Sequence, residues 1–316
     1  MPKYFRYRNI FIRLILCFAM MKTYCQDVHY SNLHENLYQL NPSAITNIKN
    51  SLLQLTYRNQ WPGSADFVTY SAAFLFSYEE LKSTAGIQLY RDDQGKGIIS
   101  TTGVNFLYGY HTQLFNSLSL AAGISGSYNI YAVDYSKLQF ENNTTPTITT
   151  GKNYADFSSG LEFGILKQTF LGFSVSNLLA PEISPGNRIF RKYCLSYHGT
   201  YSLSNQYSHE QFKLEPIIIT TLQNSFNEIL YGARFNYLNF QGGIYMRQDN
   251  KFNFDATIIL LGISFGNNNF IYTYDINLSA AESNFNKMAS HEVTFLHKFE
   301  YTKSRKNKGA IKCPKF

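Results

Sequence analysis

Residues 51–63 read SLLQLTYRNQWPG. Taken two at a time, Leu53, Leu55 and Tyr57 fall on one face, and Gln54, Thr56, Arg58 and Gln60 on the other. A period of two with one apolar and one polar face predicts a β-strand, closed here by Trp61 and a Pro-Gly turn. The same alternation recurs along the chain. In 117–131, Leu118, Leu120, Ala122, Ile124, Tyr128 and Ile130 oppose Ser119, Ser125, Ser127 and Asn129; in 268–278, Phe270, Tyr272, Tyr274, Ile276 and Leu278 oppose Thr273, Asp275 and Asn277. The pattern predicts strands over 51–60, 67–78, 84–91, 98–112, 117–131, 154–166, 168–178, 190–203, 211–222, 226–236, 238–247, 252–265, 268–278 and 289–301. Connections after even strands are short. Those after odd strands include the longest, Ala132–Asn153 and Leu179–Ile189. A soluble sheet buries its apolar face under a second layer, and no helical period or second core is read here to cover it. The apolar face is therefore expected to meet lipid. The fold class is all-β: a transmembrane antiparallel β-barrel of 14 strands, the even number that single-chain bacterial barrels use.

Composition is consistent with that picture. The chain holds 25 Tyr and 26 Phe but one Trp, and its mean hydropathy is slightly negative. No apolar run of about 18 residues lies beyond the N-terminal region, which excludes a helical span there. Residues 1–25 read as a signal peptide: Lys3, Arg6, Arg8 and Arg13 lead the apolar Ile10–Met21, and cleavage is expected between Cys25 and Gln26. An N-terminal anchor is the bland alternative, but the run is too short to span. The remaining domains are a short, irregular periplasmic N-terminal segment (26–50), the barrel (51–301) and a basic periplasmic tail (302–316); the sequence leaves three states of the lumen, open, plugged by residues 26–50 or filled by a partner. The formal charge of +7 resides at the two ends. Residues 1–25 carry five basic residues and 302–316 six, neither with an acid, so the body is acidic and nothing suggests nucleic acid.

No catalytic constellation is read from the sequence, and a non-enzymatic protein without cofactor or metal is expected. The seven His residues are scattered, and Cys194 and Cys313 stand far apart without a paired motif. Asp92, Asp93 and Gln94 in DDQGKG admit a Ca²⁺ site, but a hairpin turn with solvated charges is the commoner origin of such a stretch. Parity places three charged residues in the lumen: Arg58 on the first strand, Asp275 on the thirteenth and Glu292 on the last. Closure pairs the first and last strands, so the three are expected to cluster at the seam. Two readings stand, a clamp that closes the barrel and a lumenal site for a partner's tail. The tail ending Lys312, Cys313, Pro314, Lys315 and Phe316 likewise reads as a solvated charge run or as a partner-binding element.

Nine motifs follow one another along the chain: LYQLNPS (37–43), TYRNQWPG (56–63, with the first-strand motif Tyr57, Arg58, Asn59, Gln60, Trp61), TYSAAF (69–74), DDQGKG (92–97), YAVDYSKLQ (131–139), LGFSVSNLLAP (171–181), YTYDINLS (272–279), SHEVTFLHKF (290–299) and CPKF (313–316). In their order and spacing the chain resembles the PorP/SprF family of outer-membrane proteins associated with type IX secretion. The resemblance covers nearly the whole mature chain. GGIYMRQ (242–248) departs from the compact Gly-x-x-Tyr-Arg pattern of the family. The resemblance implies a barrel in the outer membrane of a Gram-negative bacterium that helps secrete or anchor a surface protein such as an adhesin. Its implied partners are outer-membrane lipid, the secreted surface protein and periplasmic type IX components. The alternative is a porin or an uptake channel for small or hydrophobic molecules. A lipid-modifying barrel enzyme is weaker, since no Ser-His pair is placed at one height. The lumen is expected to be Ser/Thr/Asn/Gln-rich with few charges.

Overall fold

The computed structural model describes residues 29–63, 66–137, 149–184, 187–204, 211–278 and 289–300. The expected signal peptide with its Cys25–Gln26 junction, and the tail from Lys312 to Phe316, lie outside them. The chain opens with helix α1 (Leu33–Leu40) and a 3₁₀ turn (Pro42–Asn47). The strands then follow: β1 (Ser51–Gln60), β2 (Phe67–Tyr78), β3 (Ser83–Gln94), β4 (Ile99–Phe115), β5 (Leu118–Asp134), β6 (Thr149–Ile165), β7 (Thr169–Ser176), β8 (Glu182–Ser184), β9 (Asn187–Arg188), β10 (Lys192–Gly199), β11 (Tyr201–Ser204), β12 (Gln211–Gln223), β13 (Phe226–Tyr237), β14 (Phe240–Gln248), β15 (Phe254–Phe265), β16 (Asn268–Asn277) and β17 (Ala289–Phe299).

Each barrel strand pairs antiparallel with its sequence neighbours, and β1 pairs β17 with Arg58 opposite Glu292. That pairing closes a 14-stranded antiparallel barrel. β10 and β11 form one barrel strand interrupted at Thr200, whose N–H bonds to Gln168 O instead. β8 and β9 form a small separate hairpin within the connection 177–191, a stretch read from sequence as loop. The connection after β5 is shorter than the 132–153 expected, because β5 and β6 stay paired out to Asp134 and Thr149.

The lipid face is the one the alternation marks. Leu55, Tyr57, Tyr70, Phe74, Ile124 and Tyr272 are all exposed there. The lumen departs from expectation in two ways. Part of it is apolar: Leu52, Leu75, Leu107, Ile217, Ile258 and Leu296 point inward and are buried. It also holds many charges, among them Arg58, Arg247, Glu162, Asp275 and Glu292.

Both departures have one cause. Residues 29–48, read from sequence as an irregular periplasmic stretch, run through the lumen as a plug. Leu33, Leu37, Tyr38, Ala44 and Ile45 of the plug pack on the inward apolar residues. An eight-residue helix is too short to print a reliable period on the sequence, and its stability comes from this packing. Asn41 ends α1 in an extended conformation, as a residue before proline favours, and its side chain accepts from Ser43 N at 3.1 Å.

Candidate functional site: the plugged lumen and its vestibule

Strand parity points Arg58 inward, and barrel closure brings β16 and β17 beside it. Arg58 Nη2 lies 3.3 Å from Asp275 Oδ2, and Arg58 Nη1 lies 3.4 Å from Glu292 Oε2. All three side chains are buried; Arg58 is 1% exposed. Thus the structure brings together the three charged residues that the sequence places at the seam. It adds a partner that the sequence does not reveal. Glu292 accepts from the backbone N–H groups of Ser31 (2.6 Å) and Asn32 (3.2 Å), and Arg58 donates to Ser31 Oγ. The seam cluster therefore holds the chain's own N-terminal segment.

The other first-strand residues divide by parity. Tyr57 faces lipid, 40% exposed, beside Tyr70 with ring centroids 5.3 Å apart. Asn59 shares that parity and is half-buried opposite His291. Gln60 turns inward and accepts from Arg58 at 3.2 Å. Trp61 leaves the strand with a left-handed φ of +57° and meets Phe67 edge-on. Such a backbone is rare for a bulky residue, and it turns the indole toward the barrel mouth.

Other plug contacts escape the sequence reading. Arg234 on β13 bonds Glu35 of α1 and Glu215 of β12, each at 2.6 Å. Glu162 on β6 accepts from Asn47 (2.8 Å) and lies 3.1 Å from His198. Ser174 donates to Leu40 O, and Gln54 to Asn36. The 3₁₀ turn rests on a row of glycines. Gly109, Gly123 and Gly160 are direct partners across β4, β5 and β6. A Cβ at Gly123 would strike the backbone of Pro42 and Ser43, one at Gly160 the Asn41 side chain, and one at Gly109 the Ile45 and Thr46 side chains. Only glycine lets the plug approach the wall this closely. A sequence signal for this groove exists: three consecutive strands carry an interior glycine at inward parity.

Above the plug, at the long-loop end, is a cavity of about 790 Å³. Its floor includes His29, Tyr30, Leu33 and Asn36 of the plug; its walls include Gln88, Asp92, Asn129, Arg247 and Asp275. Arg247, on the stretch where the sequence departs from the family pattern, is central to one wall. Its Nε lies 2.6 Å from Asp255 and 3.8 Å from Glu228, and its Nη1 3.5 Å from Asp275. A register shift between β14 and β15 at Arg247/Gln248 takes Asp255 out of the ladder, where it reaches Arg247. On the rim, Asp249 accepts from the Asn253 side chain and from the Lys251 and Asn253 N–H groups. These bonds, the Asn253 side chain first, hold its carboxyl below the usual carboxylate range.

Asp92 is not placed as a solvated turn residue. It is buried at the end of β3, accepting from Thr69 (2.5 Å) and Gln94 (2.9 Å). Cys194 faces the lumen between Ser174 and Thr221, buried, as a free thiol.

The sequence profile described as Type IX secretion system membrane protein PorP/SprF matches residues 22–296. The chain belongs to the PorP/SprF family. Within PorP/SprF terms it is a membrane β-barrel associated with the type IX secretion system. A comparison with curated proteins finds no match. Among solved structures the PorP/SprF barrel resembles the toluene transporter TbuX of Ralstonia pickettii, with a TM-score of 0.50 and 8% identity over 83% of this chain and 93% of that one. It is also similar to the toluene transporter TodX of Pseudomonas putida, with a TM-score of 0.42 and 7% identity over 85% and 93% of the two chains. At such identities the likeness to TbuX speaks for the barrel fold alone.

Proposed function

We propose that this PorP/SprF barrel is a non-enzymatic component of the outer membrane of a Gram-negative bacterium. Its task is to hold, or help to secrete, a surface protein such as an adhesin. The observation that carries this reading is the plug. Residues 29–48 fill the lumen, rest on a glycine row and are tied by Glu292, Arg234 and Glu162 to three sectors of the wall. The packed apolar core holds the segment in place, and a fixed surface inside the lumen supports a holding role. With the long loops outward, as outer-membrane barrels arrange them, the vestibule opens to the cell exterior. The short turns then face the periplasmic type IX components, and the apolar belt faces outer-membrane lipid.

The test is a pull-down of the tagged protein from detergent-solubilised outer membrane, followed by mass spectrometry. Recovery of a large secreted surface protein or of type IX components is expected. Isolation of the barrel alone, together with ion conduction or small-molecule uptake in liposomes, would replace this reading with the porin or uptake-channel alternative.

A further inference from the structure

We propose that the vestibule above the plug is a binding site for a cationic, lysine- or arginine-bearing segment of a polypeptide. The inference rests on the proposed partner-holding role and names the chemistry by which that partner would be gripped. Four observations carry it.

The first is shape. The cavity of about 790 Å³ falls within the range of ligand pockets, roughly 300–1,000 Å³, and its floor is the fixed surface of α1 and the residues before it. The second is charge. Among the described residues its lining holds six carboxylates, Asp92, Asp156, Glu228, Asp249, Asp255 and Asp275, against three fixed cations, Lys192, Arg247 and Lys251. The balance is also uneven across the site. Arg247 serves Glu228, Asp255 and Asp275 on one wall. On the opposite wall Asp92 is held by the neutral donors Thr69 and Gln94, and no cation pairs with it among the described residues. Each of its two oxygens accepts one bond and has a further lone pair for an incoming N–H donor.

The third observation is unmet hydrogen-bonding capacity. Gln88, 2% exposed and two pairs below Asp92 on the same face of β3, lines the cavity with an amide nitrogen that has no partner. Across the site, Asp275 Oδ1 is buried and has none either. A carboxamide donor beside carboxylate acceptors matches a segment that offers both peptide carbonyls and a charged N–H group. The fourth concerns which cation. No three His, Cys, Asp or Glu side chains among the described residues are gathered to hold a metal ion. Carboxylates spread over opposite walls suit an extended organic cation better than a divalent ion, which needs its ligands at one point.

The protein carries its own reporter. Trp61 is the single tryptophan of the chain and lines the vestibule. The full mature chain in detergent micelles is titrated with acetylated tetralysine amide, with tetraglutamate of the same length and with neutral maltotetraose. Trp61 emission and heat of binding are both followed. Saturable binding of tetralysine is expected, at least about tenfold tighter than tetraglutamate and weakening as salt rises. Asp92→Asn keeps an acceptor for Thr69 and is expected to weaken tetralysine binding about tenfold while the heat-modifiable barrel band on SDS gels is unchanged. Equal binding of the two peptides, binding of neither, or binding of maltotetraose in their place would overturn the assignment. The pull-down separates the two levels. A captured surface protein with no preference for tetralysine sinks only the vestibule assignment; a tetralysine preference with no captured protein sinks the holding role and leaves the site.

Discussion

Arg58 shows how much one inward side chain can organise. It is buried between Asp275 and Glu292, contacts Ser31, and sits on the strand that closes the barrel. Replacing it with methionine preserves bulk but leaves Glu292 in a water-poor space without a cation, and Asp275 with Arg247 alone. Removing one member of a buried ionic group costs about 3–5 kcal/mol. Arg58→Met is therefore expected to lower the urea midpoint of the detergent-folded barrel by a corresponding amount. Adding Glu292→Gln to that variant should recover part of the loss, since it removes one uncompensated charge. A midpoint unchanged in the single variant would mean that the cluster contributes no net closure energy. The placement of Arg58, Asp275 and Glu292 together was legible in the sequence, because parity and the first-to-last pairing of a closed barrel are both readable without coordinates. The role of Arg247 was not. Its contact with Asp255 depends on a register shift that no periodicity announces.

At the scale of elements, the N-terminal segment and the glycine row were made for each other. α1 and the 3₁₀ turn have little independent stability; the wall supplies it through Arg234, Glu162 and Ser174 and through the apolar residues beneath. The prediction at this scale is a plug variant. In Gly123→Val the new side chain meets the Pro42 and Ser43 backbone, which cannot rotate away as a flexible side chain would. The strand itself accommodates valine well. The barrel is expected to fold, with an unchanged heat-modifiable band, while the plug is displaced at a cost of about 1–3 kcal/mol. Limited proteolysis within 29–48 checks it: cleavage should be at least about tenfold faster than in the parent protein. An equal cleavage rate would show that the turn does not need the groove.

For the whole molecule, the plug divides the lumen into a packed lower part, largely apolar but crossed by the Arg234 ion pairs and Glu162, and a polar vestibule. A barrel of this size without its plug has the diameter for a water-filled path. Deleting residues 29–48 is expected to convert a protein with little steady conductance in planar bilayers into one with discrete open-channel steps. Deletion without any new conductance would mean that the inward side chains close the barrel unaided. The same division explains the mixed lumen. Apolar inward residues such as Ile258 and Leu260 are out of place in a water-filled pore, and natural against a helix packed on them. Read strand by strand, they look like breaks in the alternation.

The local rules were written in the chain itself. A period of two, repeated with short turns on one side and longer connections on the other, is set by backbone geometry and solvent preference, and it determined the barrel, its strand number and which face meets lipid. The family resemblance likewise rests on linear motifs. Tertiary structure decided what occupies the lumen. That outcome depends on contacts between residues 29–48 and strands more than a hundred positions away, such as Asn47 with Glu162 and Glu35 with Arg234. These contacts are specified by the curvature of the closed wall, which has no sequence period, and by the space at Gly123 and Gly160, whose inward parity is written in the chain but whose occupant is not. The vestibule follows from the same cause, because its floor exists only once the plug is seated.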